Sequence, residues 1–248
     1  MDLKMIFFDF GGTIDVYPTD KKQKAKACAK VKHLFQEHKA FSNQIPDDEF
    51  EETLICGLKN YYSWRKDEHI ELPPEEIFFR FVLDKYKVDK KICDELGEKA
   101  AFIIETDGYY RSARAEAREA LEAIRNKNIP MGIISNIISR GQVAYSLESY
   151  GLTSFFNPVI LSALYGKRKP HPGIFQHACE QAGVDVGDVM YVGNSPSKDI
   201  DGAKAAGIGK TVLIEYFDNK PSDIGSPPDF TIKDLRELLP IIDALGKK

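Results

Sequence analysis

The strongest constraint on this chain is a rhythm of short apolar runs that alternate with helical stripes. Leu3 to Phe8, Met131 to Ile134, Pro158 to Leu161, Val189 to Val192 and Thr211 to Ile214 are nearly unbroken apolar segments. A strand with one wet face alternates apolar and polar residues, so continuous runs call for a cover on both faces. Between the runs, Ala113, Ala117, Ala120, Leu121 and Ile124 fall at helical spacing. So do Ile174, Phe175, Ala178, Cys179 and Ala182, and then Leu235, Leu238, Leu239 and Ile242. Each set makes one apolar stripe on a helix. Gly151, Gly183 and Gly207 follow such segments, where a left-handed residue ends a helix. Strand and helix alternate from about residue 109 to the end. That pattern predicts an α/β fold, a Rossmann-like doubly wound parallel sheet with helices on both faces.

Residues 16–108 break the rhythm, and no strand is evident there. Asp47-Asp48-Glu49 after Pro46 opens a helix carrying Leu54, Leu58 and Tyr61. Phe79, Val82, Leu83 and Tyr86 lie at helical spacing after Pro73-Pro74 and an acidic first turn. An insertion this long is a second, all-helical domain and not a loop. The expected division is a core of residues 1–15 and 109–248, with a helical domain of residues 16–108 inserted into it. Pro221 to Pro228 reads as a surface loop before the last strand and helix.

Composition removes several function classes. A net charge of −4 across 248 residues argues against bulk nucleic-acid binding, so no nucleic-acid partner is expected. No apolar run approaches the ~18 residues of a membrane span, so no membrane partner is expected either. The opening run ends at Asp9, too short for a secretory signal core. Cys28, Cys56, Cys93 and Cys179 lie far apart, without zinc or disulfide spacing. A reduced, cytoplasmic protein is the expectation; oligomeric state is not visible. The lysines of residues 21–39 read as a solvated helix face, and Tyr61, Tyr62 and Trp64 as core.

In open α/β sheets, ligands bind beyond the carboxyl ends of the strands. Asp9-Phe10-Gly11-Gly12-Thr13-Ile14-Asp15 follows the first run, and Ser135-Asn136 the second. Lys167-Arg168-Lys169-Pro170-His171-Pro172 follows the third, and Gly193-Asn194-Ser195-Pro196-Ser197-Lys198-Asp199 the fourth. The sheet would gather all four clusters at one edge. Two carboxylates, a hydroxyl and a lysine suit a phosphate site: lysine offsets charge, hydroxyl donates to a phosphoryl oxygen, carboxylates hold Mg²⁺.

The order of these motifs resembles the haloacid dehalogenase superfamily, its subfamily I with a helical C1 cap. The resemblance rests on a strand ending in Asp-x-x-Gly-Thr, a strand followed by Ser-Asn, Lys-Pro-x-Pro-x-x-Phe, and the long run from Tyr191 to Gly207. It implies a Mg²⁺-dependent phosphohydrolase acting on a small phosphorylated metabolite. Asp9 would be the nucleophile that becomes an aspartyl-phosphate. Ser135 would hydrogen-bond the transferring group, and Lys169 would neutralise charge between it and Asp9. Asp9, Gly11, Gly12, Ser135, Asn136 and Lys169 would form the phosphate site. Asp9, the Gly11 carbonyl, Asn194 and Asp199 would surround Mg²⁺. The inserted helical domain would close over the site.

Two positions depart from the family pattern. The usual acid–base Asp, two residues after the nucleophile, is Gly11 here, and the usual metal-ligating Asp of the fourth motif is Asn194. Losing a positioned acid–base costs ~10²–10⁴ in rate. The pair of changes points to substrates with good leaving groups, such as anomeric or acyl phosphates, or to an acid from elsewhere, with Asp15 the nearest candidate. It also fits a catalytically impaired relative that binds a ligand or protein. A 2-haloacid dehalogenase-like enzyme is a third reading. Residue by residue, Ser135 also fits a helix N-cap, and Asp199 a dipole partner or a ligand through water.

Overall fold

A computed structural model describes residues 2–66 and 68–246 of the chain. The chain divides into two compact units. Met1–Val16, Ser112–Asn136 and Val143–Lys248 form the first, and Tyr17–Arg111 with Ile137–Gln142 the second. Residues 109–111 and 137–142, expected in the core, group with the helical unit.

The chain opens with β1 (Met5–Phe8) and the short β2 (Asp15–Val16). The helical unit then contributes α1 (Lys21–Glu37), α2 (Asp47–Trp64), α3 (Pro74–Ile77) and α4 (Lys90–Asp107). The return runs through β3 (Ser112–Ala113), α5 (Ala117–Asn126), β4 (Met131–Ser135), α6 (Gln142–Ser149), β5 (Phe156–Leu161), α7 (Ser162–Tyr165) and α8 (Pro172–Ala182). It ends with β6 (Val189–Gly193), α9 (Asp201–Ala206), β7 (Lys210–Ile214), β8 (Phe230–Ile232) and α10 (Leu238–Leu245).

Six strands form one parallel sheet in the order β5-β4-β1-β6-β7-β8. The chain first builds outward from β1 to one side and then returns to build on the other. That reversal beside β1 is where such a sheet opens a ligand crevice. β1 is buried along its whole length, as its apolar run requires. Met5 and Phe7 join Phe175 and Ala178 of α8 and Ala203 of α9 in one core cluster. Ile6 and Phe8 face the other way by strand alternation and are equally buried. Burying a side chain such as Phe7 contributes about 1.5–3 kcal/mol.

β2 and β3 make a separate two-stranded antiparallel ribbon. It places Val16 in a strand and Ala113 outside the helix whose stripe it was expected to share. Two residues per strand are too few to leave an alternating signal.

The helical unit has its own core of Val31, Phe35, Phe50, Leu54, Ile77, Phe78, Leu96 and Ala100. Asp20 caps α1 by accepting from the Gln23 amide at 2.7 Å, and Asp89 caps α4 through the Lys91 amide at 2.8 Å. The helix expected through Phe79 and Tyr86 is interrupted. After α3 the chain widens into a π turn over Phe78–Val82 and closes with a 3₁₀ turn over Asp84–Tyr86. A Cβ on Gly57 of α2 would stand 2.4 Å from the Phe81 carbonyl oxygen, so backbone meets backbone there. Val82 and Leu83 are buried as expected, but the π turn puts Phe78 in the core in place of Phe79, and Phe79 and Tyr86 are only partly buried.

Candidate active site

β1, β4 and β6 end side by side, and their carboxyl ends carry three of the four expected clusters. The turn after Asp9 is drawn tight by the Phe10 carbonyl, which accepts from the amides of Thr13, Ile14 and Asp15. Gly12 sits at φ +89°, and a Cβ there would come within 2.5 Å of Asn194 Nδ2. Glycine therefore satisfies both the left-handed backbone and the close approach to the β6 loop. A Cβ on Gly193 would likewise meet Asp199 Cγ at 2.4 Å, so Gly193 lets Asp199 fold back over the end of β6.

Lys169 is the hub. Its Nζ donates to Asp9 Oδ1 at 2.6 Å, to Asp199 Oδ1 at 2.7 Å and to the Tyr191 hydroxyl at 2.7 Å. All three donor positions of the ammonium are used. Tyr191 passes its own proton towards Asp199 Oδ1 at 3.0 Å. The other Asp199 oxygen accepts from the Ser195 amide at 2.9 Å. Asp9, Lys169 and Asp199 are all buried, so one lysine serves two carboxylates with little water near.

The electrostatics follow from that count. Burial pushes the Asp9 carboxyl up to about 6, with Asp199 adding to the rise and Lys169 opposing it. Burial alone would lower Lys169, but Asp199 and Asp9 outweigh it and hold the ammonium above its usual value. Burial, followed by the two carboxylates, pushes the Tyr191 phenol well above its usual range.

A second cluster lies on the other side of the Asp9 carboxylate. One end of the Asn194 amide stands 3.1 Å from Asp9 Oδ2 and 3.1 Å from the Gly11 carbonyl oxygen. Its other end donates to Asn219 at 2.9 Å.

The family model for haloacid dehalogenase-like hydrolases matches residues 3–207. This chain belongs to the haloacid dehalogenase-like hydrolases. It is 40% identical over 130 residues to glyceraldehyde 3-phosphate phosphatase of Methanopyrus kandleri, covering 51% of this chain and 55% of that protein. It is 31% identical over 166 residues to phosphoserine phosphatase of Thermus thermophilus, covering 67% of this chain and 64% of that protein. The chain thus spans between half and two thirds of the length of these relatives. A crystal structure of 2-haloacid dehalogenase from Pseudomonas syringae superposes with a TM-score of 0.67 at 20% identity, over 98% of this chain and 99% of that one. At that identity the likeness speaks to the fold alone.

Within this haloacid dehalogenase-like hydrolase, the expected site residues divide into distinct positions. Asp9, Lys169 and Asp199 come together directly, and Gly11 and Asn194 lie against Asp9. Ser135, at the end of β4, is buried, and its hydroxyl has no partner among the described residues. It is not a helix cap: Ser139 Oγ takes the amides of Gly141 and Gln142, each at 3.2 Å.

Four of the expected residues are engaged by other groups. Both ends of the Asn136 side chain meet Lys169. Asn136 Nδ2 donates to the Lys169 carbonyl at 2.9 Å and its Oδ1 accepts from the Lys169 amide at 2.8 Å, so both ends brace the lysine backbone. The Gly12 amide is spent on the Asp15 carbonyl at 2.7 Å, and the Gly12 carbonyl accepts from Arg114 at 2.8 Å. Asp15 is fully buried, with Tyr150 donating to its carboxylate at 2.5 Å, so it presents no proton to a leaving oxygen. Asp199 is engaged on both oxygens, chiefly in holding Lys169.

Among the described residues no cluster of three His, Cys, Asp or Glu side chains could hold a metal ion. Carboxylate Oδ2 and the Gly11 peptide carbonyl meet beside Asp9, and the Asn194 amide, 3.1 Å from both, can turn its oxygen to join them. A hard divalent cation prefers such an all-oxygen set, and the buried excess of negative charge favours it further. Four cysteines are free thiols. Among the described residues no helix is long and apolar enough to cross a membrane.

Two groups escaped the sequence reading. Tyr191 entered the sequence reading only as the first residue of the fourth motif, with no role at the site, though the strand alternation that buries it against Phe175 also turns its hydroxyl to Lys169. Asp223 sits in the loop read as a surface connection, and Asn219 lies just before it. Asp223 accepts from Ser195 Oγ at 2.6 Å and from the Ser197 amide at 3.1 Å, clamping the loop after β6.

Proposed function

We propose that this protein is a Mg²⁺-dependent phosphohydrolase that cleaves a small phosphorylated metabolite through an aspartyl-phosphate on Asp9, favouring good leaving groups. The observation that carries the reading is the Asp9 carboxylate held by a lysine on one oxygen, with the Gly11 carbonyl and the Asn194 amide beside the other. That is a nucleophile fixed in orientation, with positive charge provided for an incoming phosphate. Relatives named as phosphatases of glyceraldehyde 3-phosphate and of phosphoserine support the substrate class.

Asp9 Oδ2, the Gly11 carbonyl and the Asn194 amide oxygen would hold the cation, with Asp199 acting through Lys169. Mg²⁺, when bound, would withdraw charge from a phosphoryl oxygen and offset that of Asp9. The remaining work falls to the chain. The Asp9 carboxylate attacks phosphorus, and the bond from phosphorus to the leaving oxygen breaks. Lys169 keeps Asp9 oriented and neutralises the charge that builds on the transferring group. The open Ser135 hydroxyl donates to a phosphoryl oxygen. A water then attacks phosphorus, returning the Asp9 carboxylate and releasing inorganic phosphate. Neither position 11 nor Asp15 stands ready to protonate the leaving oxygen, because Gly11 has no side chain and Asp15 is engaged by Tyr150. The leaving group must therefore be stable as an anion or take its proton from solvent, which is the reason to expect anomeric, acyl or similar phosphates.

The test compares an aryl phosphate with an alkyl phosphate in Mg²⁺, with Asp9→Asn as the control. Aryl turnover at least ~10²-fold above alkyl turnover, and lost in Asp9→Asn, is expected for a working nucleophile that lacks its acid. Equal turnover of both would refute the leaving-group preference. Turnover of neither, with Mg²⁺ shown to bind, would refute the phosphohydrolase reading.

A further inference from the structure

The Asn194 amide has two ends that are close in shape and opposite in hydrogen-bonding sense. In the structure Nδ2 points to Asn219 Oδ1 at 2.9 Å, which leaves the oxygen end 3.1 Å from both Asp9 Oδ2 and the Gly11 carbonyl. Asn219 makes a second bond, from its own Nδ2 to the Asn194 backbone carbonyl at 2.8 Å.

Turning the Asn194 amide through half a rotation would let it donate to Asp9 and Gly11. The same turn would set its oxygen against Asn219 Oδ1 at 2.9 Å. Turning Asn219 as well would relieve that contact but set the Asn219 oxygen against the Asn194 carbonyl. Each arrangement therefore leaves acceptors facing acceptors at one place. Only with Nδ2 on Asn219 does that place lie beside the Asp9 carboxylate, where a cation would convert repulsion into coordination. An aspartate at position 194 would not face this choice, since both ends of a carboxylate are oxygens.

Resting on the phosphohydrolase reading and its cation, we infer that Asn219 is a positioning residue that sets the Asn194 amide with its oxygen towards the divalent cation. Its two hydrogen bonds to Asn194, one to the side chain and one to the backbone, fix its own orientation and thereby that of its neighbour. The loop after β7 thus supplies the control that the substitution of asparagine for aspartate at position 194 makes necessary. Partners that orient a metal ligand commonly account for 10–100-fold of metal affinity.

The experiment measures Mg²⁺ affinity directly by titration calorimetry, without substrate, in a double-mutant cycle. Asn219→Ala is expected to weaken Mg²⁺ binding about tenfold in the native background. In an Asn194→Asp background the same substitution is expected to weaken it less than about twofold, because no amide remains to be oriented. Circular dichroism confirms that each variant is folded. Equal losses from Asn219→Ala in both backgrounds would overturn the inference, since simple loop packing would act regardless of residue 194. So would no loss in either. If the native chain bound no Mg²⁺ and Asp9→Asn changed nothing, the cation reading itself would fail, and the inference with it.

Discussion

Replacing Asp9 by asparagine should make the metal-free protein more stable while destroying its chemistry. Asp9 is 7% exposed and shares one lysine with Asp199. Burial chiefly, then Asp199, raises its carboxyl from 3.8 to about 6 in spite of Lys169. A folded-state value above the unfolded one means the native protein binds this proton more tightly. The stability it contributes is whole below about pH 3.8 and is lost as pH rises through about 6. Above that range the two-unit gap costs about 3 kcal/mol, at 1.36 kcal/mol per unit. Asparagine never ionises, nearly matches the shape and still accepts from Lys169, so the variant escapes this cost. For a chain of this size ~3 kcal/mol corresponds to about 6–12 °C in Tm. Thermal unfolding in excess chelator should show the variant ahead by that margin at pH 7.5. The margin should shrink to about 1 kcal/mol at pH 4.5, where folded Asp9 is mostly protonated. Saturating Mg²⁺ at pH 7.5 should also narrow it, because the cation stabilises only the native chain. A variant no more stable than the native protein at pH 7.5, or a margin unchanged at pH 4.5, would refute the picture of an overcharged buried cluster.

Lys169→Met should do the reverse. It leaves two buried carboxylates without their cation, and destabilisation by about 3–5 kcal/mol is expected in chemical denaturation, together with loss of turnover. Tyr191→Phe removes the acceptor of one Lys169 proton and a donor to Asp199; it should cost about 1–3 kcal/mol and lower kcat more than it changes KM. Asp15→Asn should leave the ratio of aryl to alkyl phosphate turnover unchanged, and a selective collapse of alkyl turnover would restore Asp15 as the acid.

The sheet was legible because its signal is collective. Leu3 to Phe8 can be buried on both faces only between covered neighbours, and four further runs repeat the demand. The residues at the strand ends were legible for the same reason: Asp9, Ser135 and Asn194 are placed by strands that the pattern already locates. What could not be read depends on atoms and not on position. Asn136 and Ser135 are adjacent, but only the geometry shows one braced against the Lys169 backbone and the other open. Gly12 looked available as a donor until its amide was found on Asp15. β2 and β3 pair over so few residues that no periodicity could announce them, and at the π turn over Phe78–Val82 the buried phenylalanine is Phe78, one residue before the Phe79 that helical spacing selects. Asn219 left no trace at all, because a loop has no period and its partner lies 25 residues earlier.

The two departures from the family pattern have one electrostatic consequence. An aspartate at position 11 and another at position 194 would each bring a negative charge to a site that already holds Asp9 and Asp199 against a single Lys169. With glycine and asparagine instead, two carboxylates and one ammonium leave a single excess negative charge in the buried cluster. A divalent cation then turns the excess positive by one, which suits an incoming phosphate dianion better than a neutral or negative site would. Affinity for the cation falls as ligand charge falls, so the neutral amide must be well oriented for its oxygen to count. The loss of the acid at position 11 therefore narrows the choice of leaving group, and the loss of charge at position 194 transfers to Asn219 a task that a second carboxylate would perform without help.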